Sequence, residues 1–282
     1  MQAFDNILRD FRNLFKRTSQ PTAQVSTATK PNFLGIGVAK SATTSLAAVL
    51  KTHPQISMAS SGKEVHFFDH EEKMAELGVQ GYFDLFEPNV AVGEITPSYI
   101  FVPECRDRIY DILGPDIRFL VILRNPVNRA FSHYCHAINN WGEEKYRPLG
   151  YPIENLSFKE AILAEDERLA SGRYHIRHQS YFSKGLYAKQ LRWYFDRFPR
   201  ENFHITIFEE YIQAQEAEIE NIYRFLGVDP YFKAPNPKIR LNAQTKQELE
   251  PDIYAWLYAR YETTIAELEA LIGRNLDLWK MP

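Results

Sequence analysis

Between Gly35 and Thr44 the sequence reads Gly-Ile-Gly-Val-Ala-Lys-Ser-Ala-Thr-Thr. A short apolar run is thus followed by one lysine, Lys40, and then by the hydroxyl residues Ser41, Thr43 and Thr44. Where such a run is a strand and the hydroxyl residues open a helix, the N–H groups at the helix start point outward and favour an anion. Lys40 adds a positive charge and the hydroxyls add donors, which together suit a phosphate. The stretch departs from the nucleotide-binding pattern G-x-x-x-x-G-K-[ST] at both glycines, where Leu34 and Ala39 stand. An ordinary strand–helix corner uses the same residue types.

A second anion site is suggested at the end of Ile117-Arg-Phe-Leu-Val-Ile-Leu123, an apolar run of the kind a parallel sheet buries on both faces. A nucleoside triphosphatase is expected to end such a strand in an acid that holds Mg2+. Here it ends in Arg124, which repels a cation. Arg124 and Ser132, with Arg129 between them, can grip a phosphate through charge-assisted hydrogen bonds; a surface salt bridge is the plainer use of such an arginine. Two anion sites without a metal carboxylate suit a ligand that carries two separate phosphate groups.

The third cluster is Glu64-Val65-His66. Read as extended chain, it puts the carboxylate and the imidazole on one face, two groups able to hold or move a proton. A satisfied polar contact at a strand end would look the same.

These residues need strands and helices to hold them. Strands are predicted at Phe33–Val38, Gln55–Ala59, Val90–Ile95, Ile117–Leu123 and Phe203–Phe208. Helical patterns cover Ser41–Lys51, Val127–Ile138, Ser157–Ala170, Leu186–Phe198, Glu209–Leu226 and Glu250–Ile272. Strands alternating with helices imply an α/β fold, a single P-loop-like domain whose central, mainly parallel sheet is flanked by helices. Asn139–Tyr151 and the proline-bearing Asp229–Asn242 read as irregular. Residues 1–18 carry an apolar stripe (Phe4, Ile7, Leu8, Phe11, Leu14, Phe15) and read as an amphipathic helix that docks on the body or on a second copy; Arg9, Arg12, Lys16 and Arg17 also suit a membrane-surface helix, although Asp5 and Asp10 dilute that charge. Residues 19–32 read as a linker, and 33–282 as the functional domain.

The chain has 282 residues, 45% hydrophobic and 24% charged, with a net charge of −3, which excludes a disordered or low-complexity protein. Two cysteines, Cys105 and Cys135, cannot form a disulfide framework or a C-x-x-C zinc site. No apolar run reaches the roughly 20 residues of a membrane-spanning helix.

In order along the chain, Gly37-Val-Ala-Lys-Ser-Ala-Thr-Thr-Ser-Leu46, Lys63-Glu-Val-His-Phe-Phe-Asp69, Gly93-Glu-Ile-Thr-Pro-Ser-Tyr99, Leu120-Val-Ile-Leu-Arg-Asn-Pro-Val-Asn-Arg-Ala-Phe-Ser132, Ser183-Lys-Gly-Leu-Tyr187 and Leu271-Ile-Gly-Arg-Asn-Leu276 through Trp279 resemble a known family. It is the sulfotransferases that use 3′-phosphoadenosine-5′-phosphosulfate (PAPS), in particular the heparan-sulfate type and its bacterial relatives. The resemblance runs from about Phe33 to Trp279 and implies roles at the matching positions. Lys40, Ser41, Ala42, Thr43, Thr44 and Ser45 would wrap the 5′-phosphosulfate, and Arg124 and Ser132 would hold the 3′-phosphate. Tyr187 would line the nucleotide pocket. Glu64 would be the general base on a carbohydrate or small-molecule hydroxyl, with His66 beside it and Lys40 meeting developing charge. PAPS brings an electrophilic sulfur and a phosphate leaving group, so no metal is called for.

The chain also departs from the family. Ala42 stands where many relatives have glycine. Ile95 stands where the heparan type has lysine, which points away from a heparan acceptor. The disulfide-bearing C-terminal loop of those enzymes gives way to Pro237–Lys246, with Arg240 and Lys246 as expected nucleotide contacts. The missing anchor and disulfide suggest a soluble, bacterial, cytoplasmic enzyme that needs no nucleic acid. Arg168–Arg200 holds eight Lys and Arg against one acid, Asp196, a charge bias that suits an anionic substrate or, more plainly, balances the doubly phosphorylated donor in part and otherwise sits on solvated helix faces. The aromatics Tyr82, Phe83, Phe86, Tyr99, Phe101, Tyr134 and Trp141 are candidates for an acceptor cleft or for plain core. Two other functions fit the turn alone: a P-loop kinase or triphosphatase, and a non-catalytic nucleotide-binding protein that docks through its N-terminal helix.

Overall fold

The computed structural model describes residues 28–62, 64–141, 153–170, 178–235 and 248–280. The N-terminal helix and most of the linker expected from the sequence lie outside these residues, as do Arg240 and Lys246.

Five strands form one parallel sheet: β1 (Phe33–Gly37), β2 (Ile56–Met58), β3 (Ala91–Ile95), β4 (Arg118–Leu123) and β5 (Phe203–Ile207), in the order β2-β3-β1-β4-β5. Each lies within a residue or so of its predicted place. β4 shows why the sheet forms. Phe119, Val121 and Leu123 join one hydrophobic cluster and Leu120 and Ile122 the other, so the period of two feeds both faces. The linker's expected last residue, Asn32, already extends β1 within the sheet: its N–H donates to the Val92 carbonyl at 2.8 Å and its carbonyl accepts from Arg118 N–H at 3.1 Å.

One face is covered by α1 (Thr43–Leu50), α8 (Phe208–Gln213) and α9 (Gln215–Leu226), through Leu46, Leu50, Tyr211, Ile222 and Leu226. The larger cluster on the other face takes residues from α2 (Glu71–Phe83), α3 (Glu104–Leu113), α4 (Pro126–His136), α5 (Phe158–Leu163), α7 (Tyr187–Phe195) and α10 (Pro251–Ile272). A short helix, α6 (Glu165–Ala170), follows α5 directly. The single helical pattern expected over Ser157–Ala170 is thus two helices, and α4 runs into a wider π-type turn at Ala137–Trp141 where a loop was expected from Asn139.

Helices α2 and α3 are absent from the sequence expectations. In α2 the helix is interrupted at Gly78, whose φ is +62°, which blurs its periodicity. α3 is densely charged, and only Cys105, Ile109 and Leu113, four residues apart, turn one stripe inward.

From β1 the chain adds β2 and β3 on one side and β4 and β5 on the other. The reversal falls between β1 and β4. In open α/β sheets the crevice at the carboxyl ends of such strands is where ligands bind. The loops that leave β1 and β4 carry Lys40 and Arg124.

Candidate active site

The turn after β1 is built by close packing. A Cβ on Gly35 would lie 2.6 Å from the Ile95 side chain, and one on Gly37 would lie 2.6 Å from Ile100, so glycine lets β1 run tightly against 95–100. Thr96 N–H donates to the Gly35 carbonyl at 2.9 Å and Ile100 N–H to the Ile36 carbonyl at 3.0 Å. Lys40 (φ +74°) and Ala42 (φ +60°) then both take left-handed backbone. Ala42 is the N-cap of α1 and offers no capping side chain, and no acid stands in the first turn. A helix start left this way favours an anion. Ser41 is fully buried and its Oγ has no hydrogen-bond partner among the described residues. Thr43 is also buried, Ser45 is half-buried and Thr44 is exposed.

Arg124 lies directly against this turn, its Nη1 donating to the Lys40 carbonyl at 2.8 Å. The guanidinium also sits 4.7 Å from the centre of the Phe208 ring, and its Nε is buried without a hydrogen-bond partner among the described residues. Several elements fix the Arg124 turn. Asn125 Oδ1 caps α4 by accepting from Val127 and Asn128 N–H, at 3.0 and 3.1 Å. Asn125 Nδ2 donates to the Trp279 carbonyl at 3.1 Å and to Tyr254 Oη at 2.9 Å. Glu209 accepts from Asn125 N–H at 3.0 Å and from Trp279 Nε1 at 2.8 Å. Tyr187 is buried and its hydroxyl donates to the Arg124 carbonyl at 2.9 Å. The structure thus places Tyr187 behind the Arg124 turn as a brace. Ser132 is half-buried on α4, two turns beyond Asn125.

The field here is positive. His133, buried on α4, is held well below the ordinary imidazole value by burial and by the charges of Lys184, Arg129 and Lys40, so it stays neutral. Lys184, which carries no distinctive pattern in the sequence, is also buried, its Nζ 5.3 Å from the Phe101 ring centre.

The Glu64–His66 segment corrects one expectation. It is not extended: Glu64 (φ +64°) and His66 (φ +58°) are both left-handed. The two groups still meet, with His66 Nε2 3.5 Å from Glu64 Oε2. On its other side His66 Nδ1 is 3.0 Å from Asp69 Oδ2, a residue the sequence reading quotes but gives no role. Burial by itself would lower the His66 value, but the hydrogen bonds to Asp69 and Glu64 outweigh it and raise the group to about 9.

The unusual backbone is imposed by the Gly93–Tyr99 segment. Glu64 N–H donates to the Ile95 carbonyl at 3.2 Å, Val65 N–H to Glu94 Oε2 at 3.2 Å, His66 N–H to Thr96 Oγ1 at 3.4 Å and Phe67 N–H to Tyr99 Oη at 2.9 Å. Ser98 Oγ donates to Asp69 Oδ2 at 2.6 Å. Glu94, 1% exposed, gathers the Thr96 hydroxyl at 2.5 Å and the Tyr99 and Tyr82 hydroxyls at 2.7 and 3.3 Å. Burial raises its value, and the bonds from Thr96, Tyr99 and Val65 work the other way. A lone acid inside the buried run Ala-Val-Gly-Glu-Ile is the sequence signal that could have revealed this hub. Ile95 points to the opposite face, buried with Leu46 and Leu50.

The acceptor expectations divide. Tyr82, Phe86 and Tyr99 are core, while Phe101 and Tyr134 are half-buried. In the basic stretch Arg168 pairs with Glu154 at 2.7 Å, Arg192 with Glu267 at 3.0 Å and Arg197 with Asp107 at 3.5 Å, and Arg200 donates to the Leu271 carbonyl at 2.6 Å. These four arginines are committed to partners within the chain.

The sulfotransferase domain family matches residues 30–244. The chain belongs to this family. It is 33% identical to a sulfotransferase from Alicyclobacillus acidocaldarius of known crystal structure, covering 90% of this chain and 100% of that one with a TM-score of 0.70. It is 29% identical over 203 residues to heparan sulfate glucosamine 3-O-sulfotransferase 5 of Mus musculus, covering 71% of this chain and 54% of the relative. It is also 35% identical over 141 residues to the membrane-associated sulfotransferase kil1 of Dictyostelium discoideum, covering 48% of this chain and 29% of that protein. The chain therefore spans about half the length, or less, of these curated relatives. The family uses PAPS as sulfuryl donor. Among the described residues no helix is long and apolar enough to cross a membrane.

Proposed function

We propose that the chain transfers a sulfuryl group from PAPS to a hydroxyl of a carbohydrate or small-molecule acceptor. The observation that carries this reading is the joining of Arg124 to the Lys40 turn at 2.8 Å, with Ser41 Oγ and Arg124 Nε both buried and lacking a hydrogen-bond partner among the described residues. Buried polar atoms cost free energy unless they are bonded, and phosphate oxygens would satisfy both. The donor set therefore fits PAPS, which supplies the activated sulfur when bound.

In this reading the Lys40–Ser45 turn holds the 5′-phosphosulfate, and Arg124 with Ser132 holds the 3′-phosphate. Glu64 takes the acceptor's hydroxyl proton as its oxygen bonds to sulfur. Lys40 meets the charge that collects on the bridging oxygen as the bond from sulfur to the 5′-phosphate breaks. His66, between Glu64 and Asp69, orients the base and the incoming hydroxyl. The same site argues against a kinase or triphosphatase, since β4 ends in Arg124 where such enzymes keep a metal-binding acid.

Calorimetry with the desulfated donor, 3′-phosphoadenosine-5′-phosphate, and with ATP tests the donor class, the former being expected to bind more tightly. Glu64→Gln should bind that nucleotide as the unaltered chain does and lose turnover by about 100-fold or more, the scale of general-base catalysis. Preference for ATP would remove the donor assignment, and normal turnover in Glu64→Gln would remove the base.

A further inference from the structure

Among the described residues, His66, Asp69 and His70 bring one metal-ligating atom each to within 4.8 Å of one another. We propose that these three side chains form a binding site for a divalent transition-metal ion of the zinc class, and that an ion bound there inhibits the enzyme.

The donor chemistry is selective. Two imidazoles and one carboxylate are the ligands that zinc and its neighbours prefer over magnesium or calcium, which favour oxygen alone. The geometry is nearly assembled. His66 Nδ1 already lies 3.0 Å from Asp69 Oδ2, and the two imidazole rings stand 5.1 Å apart, edge to face at 66°. Small side-chain rotations bring such atoms to the roughly 2.0–2.2 Å that zinc requires.

The support behind the ligands is also in place. The Asp69 side chain is fully buried and its Oδ2 accepts the Ser98 hydroxyl at 2.6 Å, the kind of outer contact that orients a ligating carboxylate. His66 is tied at its N–H to Thr96, and the His70 carbonyl accepts from Met74 N–H as the first bond of α2. Both histidines are half-exposed, so an ion can reach them from solvent while positions on it stay open to water.

Occupancy has a consequence for the reaction. An ion on Nδ1 would displace the proton shared with Asp69 and pull the imidazole toward α2, away from its contact with Glu64 at 3.5 Å. The inhibition rests on the reading of Glu64 and His66 as the reacting centre, whereas the binding does not.

The test uses the full chain without a polyhistidine tag, stripped with a chelator. Calorimetry with Zn2+ and visible absorption with Co2+ should show one ion per chain, with the absorption of a nitrogen- and oxygen-ligated cobalt centre. His70→Ala should weaken binding by about 10–100-fold or more, because losing a direct ligand costs at least what losing an outer partner does. That variant should keep its basal turnover and lose its sensitivity to Zn2+. Absence of saturable binding, or binding unchanged in His70→Ala, overturns the site. Binding without loss of turnover overturns the inhibitory role. Calorimetry and the cobalt spectrum decide the site without reference to turnover, so a failure of the site and a failure of the Glu64 reading are told apart.

Discussion

Tyr99→Phe removes one oxygen and tests whether the Gly93–Tyr99 segment sets the geometry of the base. That hydroxyl donates to Glu94 Oε1 at 2.7 Å and accepts from Phe67 N–H at 2.9 Å, with Tyr99 itself fully buried. The ring stays, so no cavity of consequence opens. The loss of a hydrogen bond is worth about 0.5–1.5 kcal/mol, and a buried N–H left unsatisfied costs about 1–3 kcal/mol. Allowing for partial relaxation, the variant should be destabilised by about 3 kcal/mol, or roughly 6–12 °C in Tm for a domain of this size. The larger effect falls on chemistry. Phe67 follows His66 directly, and misplacing a reacting group by about 1 Å costs on the order of 100-fold. kcat should therefore fall about 10–100-fold below the Tm, while affinity for 3′-phosphoadenosine-5′-phosphate stays unchanged, because Ser41 and Arg124 make none of these contacts. Thermal unfolding, calorimetry and steady-state kinetics on one preparation give all three quantities. Unchanged kcat, or a nucleotide affinity that falls in step with turnover, would refute the positioning argument.

Two further outcomes concern stability. Ala42 holds a φ of +60°, a conformation that disfavours any Cβ by about 1–2 kcal/mol. Ala42→Gly should gain about 0.5–1 kcal/mol in urea unfolding, the backbone entropy of glycine offsetting part of the relief. Glu154 is buried, which by itself would raise its carboxyl, but two bonds from Arg168 at 2.7 and 2.9 Å and those from Leu156 N–H and Tyr181 hold it below the ordinary 4.5. A carboxyl depressed on folding stabilises above its unfolded value and loses that contribution as pH falls through its folded one. Stability measured from pH 7 downward should thus drop below about pH 4.5, with part of that drop missing in Glu154→Gln.

How much of this was legible beforehand depends on how local each signal is. The five strands could be placed because β4 and β1 are short apolar runs bounded by breakers, a pattern set by neighbours in sequence. Helix α2 leaves no clear pattern in the sequence because Gly78 breaks it, and the left-handed backbone at Glu64 and His66 leaves none because neither residue type asks for it. Extended chain is the default for a Val-centred tripeptide. The alternative is imposed by donors and acceptors some 30 residues away, at Glu94, Thr96 and Tyr99.

The residues of the Lys40 turn, the arginine that ends β4 and the carboxylate–imidazole pair are visible in the sequence as chemical possibilities, since residue type alone decides charge and donor capacity. Whether they could act together was not. Lys40 and Arg124 are 84 positions apart, and only the parallel pairing of β1 with β4 brings the Lys40 carbonyl within 2.8 Å of the guanidinium. The role of Tyr187 as a brace, the inward turn of Ile95 and the gathering of Asp69 and His70 around His66 belong to tertiary structure for the same reason. Each depends on which face a side chain takes once distant strands have settled their register, and a linear pattern does not carry that information.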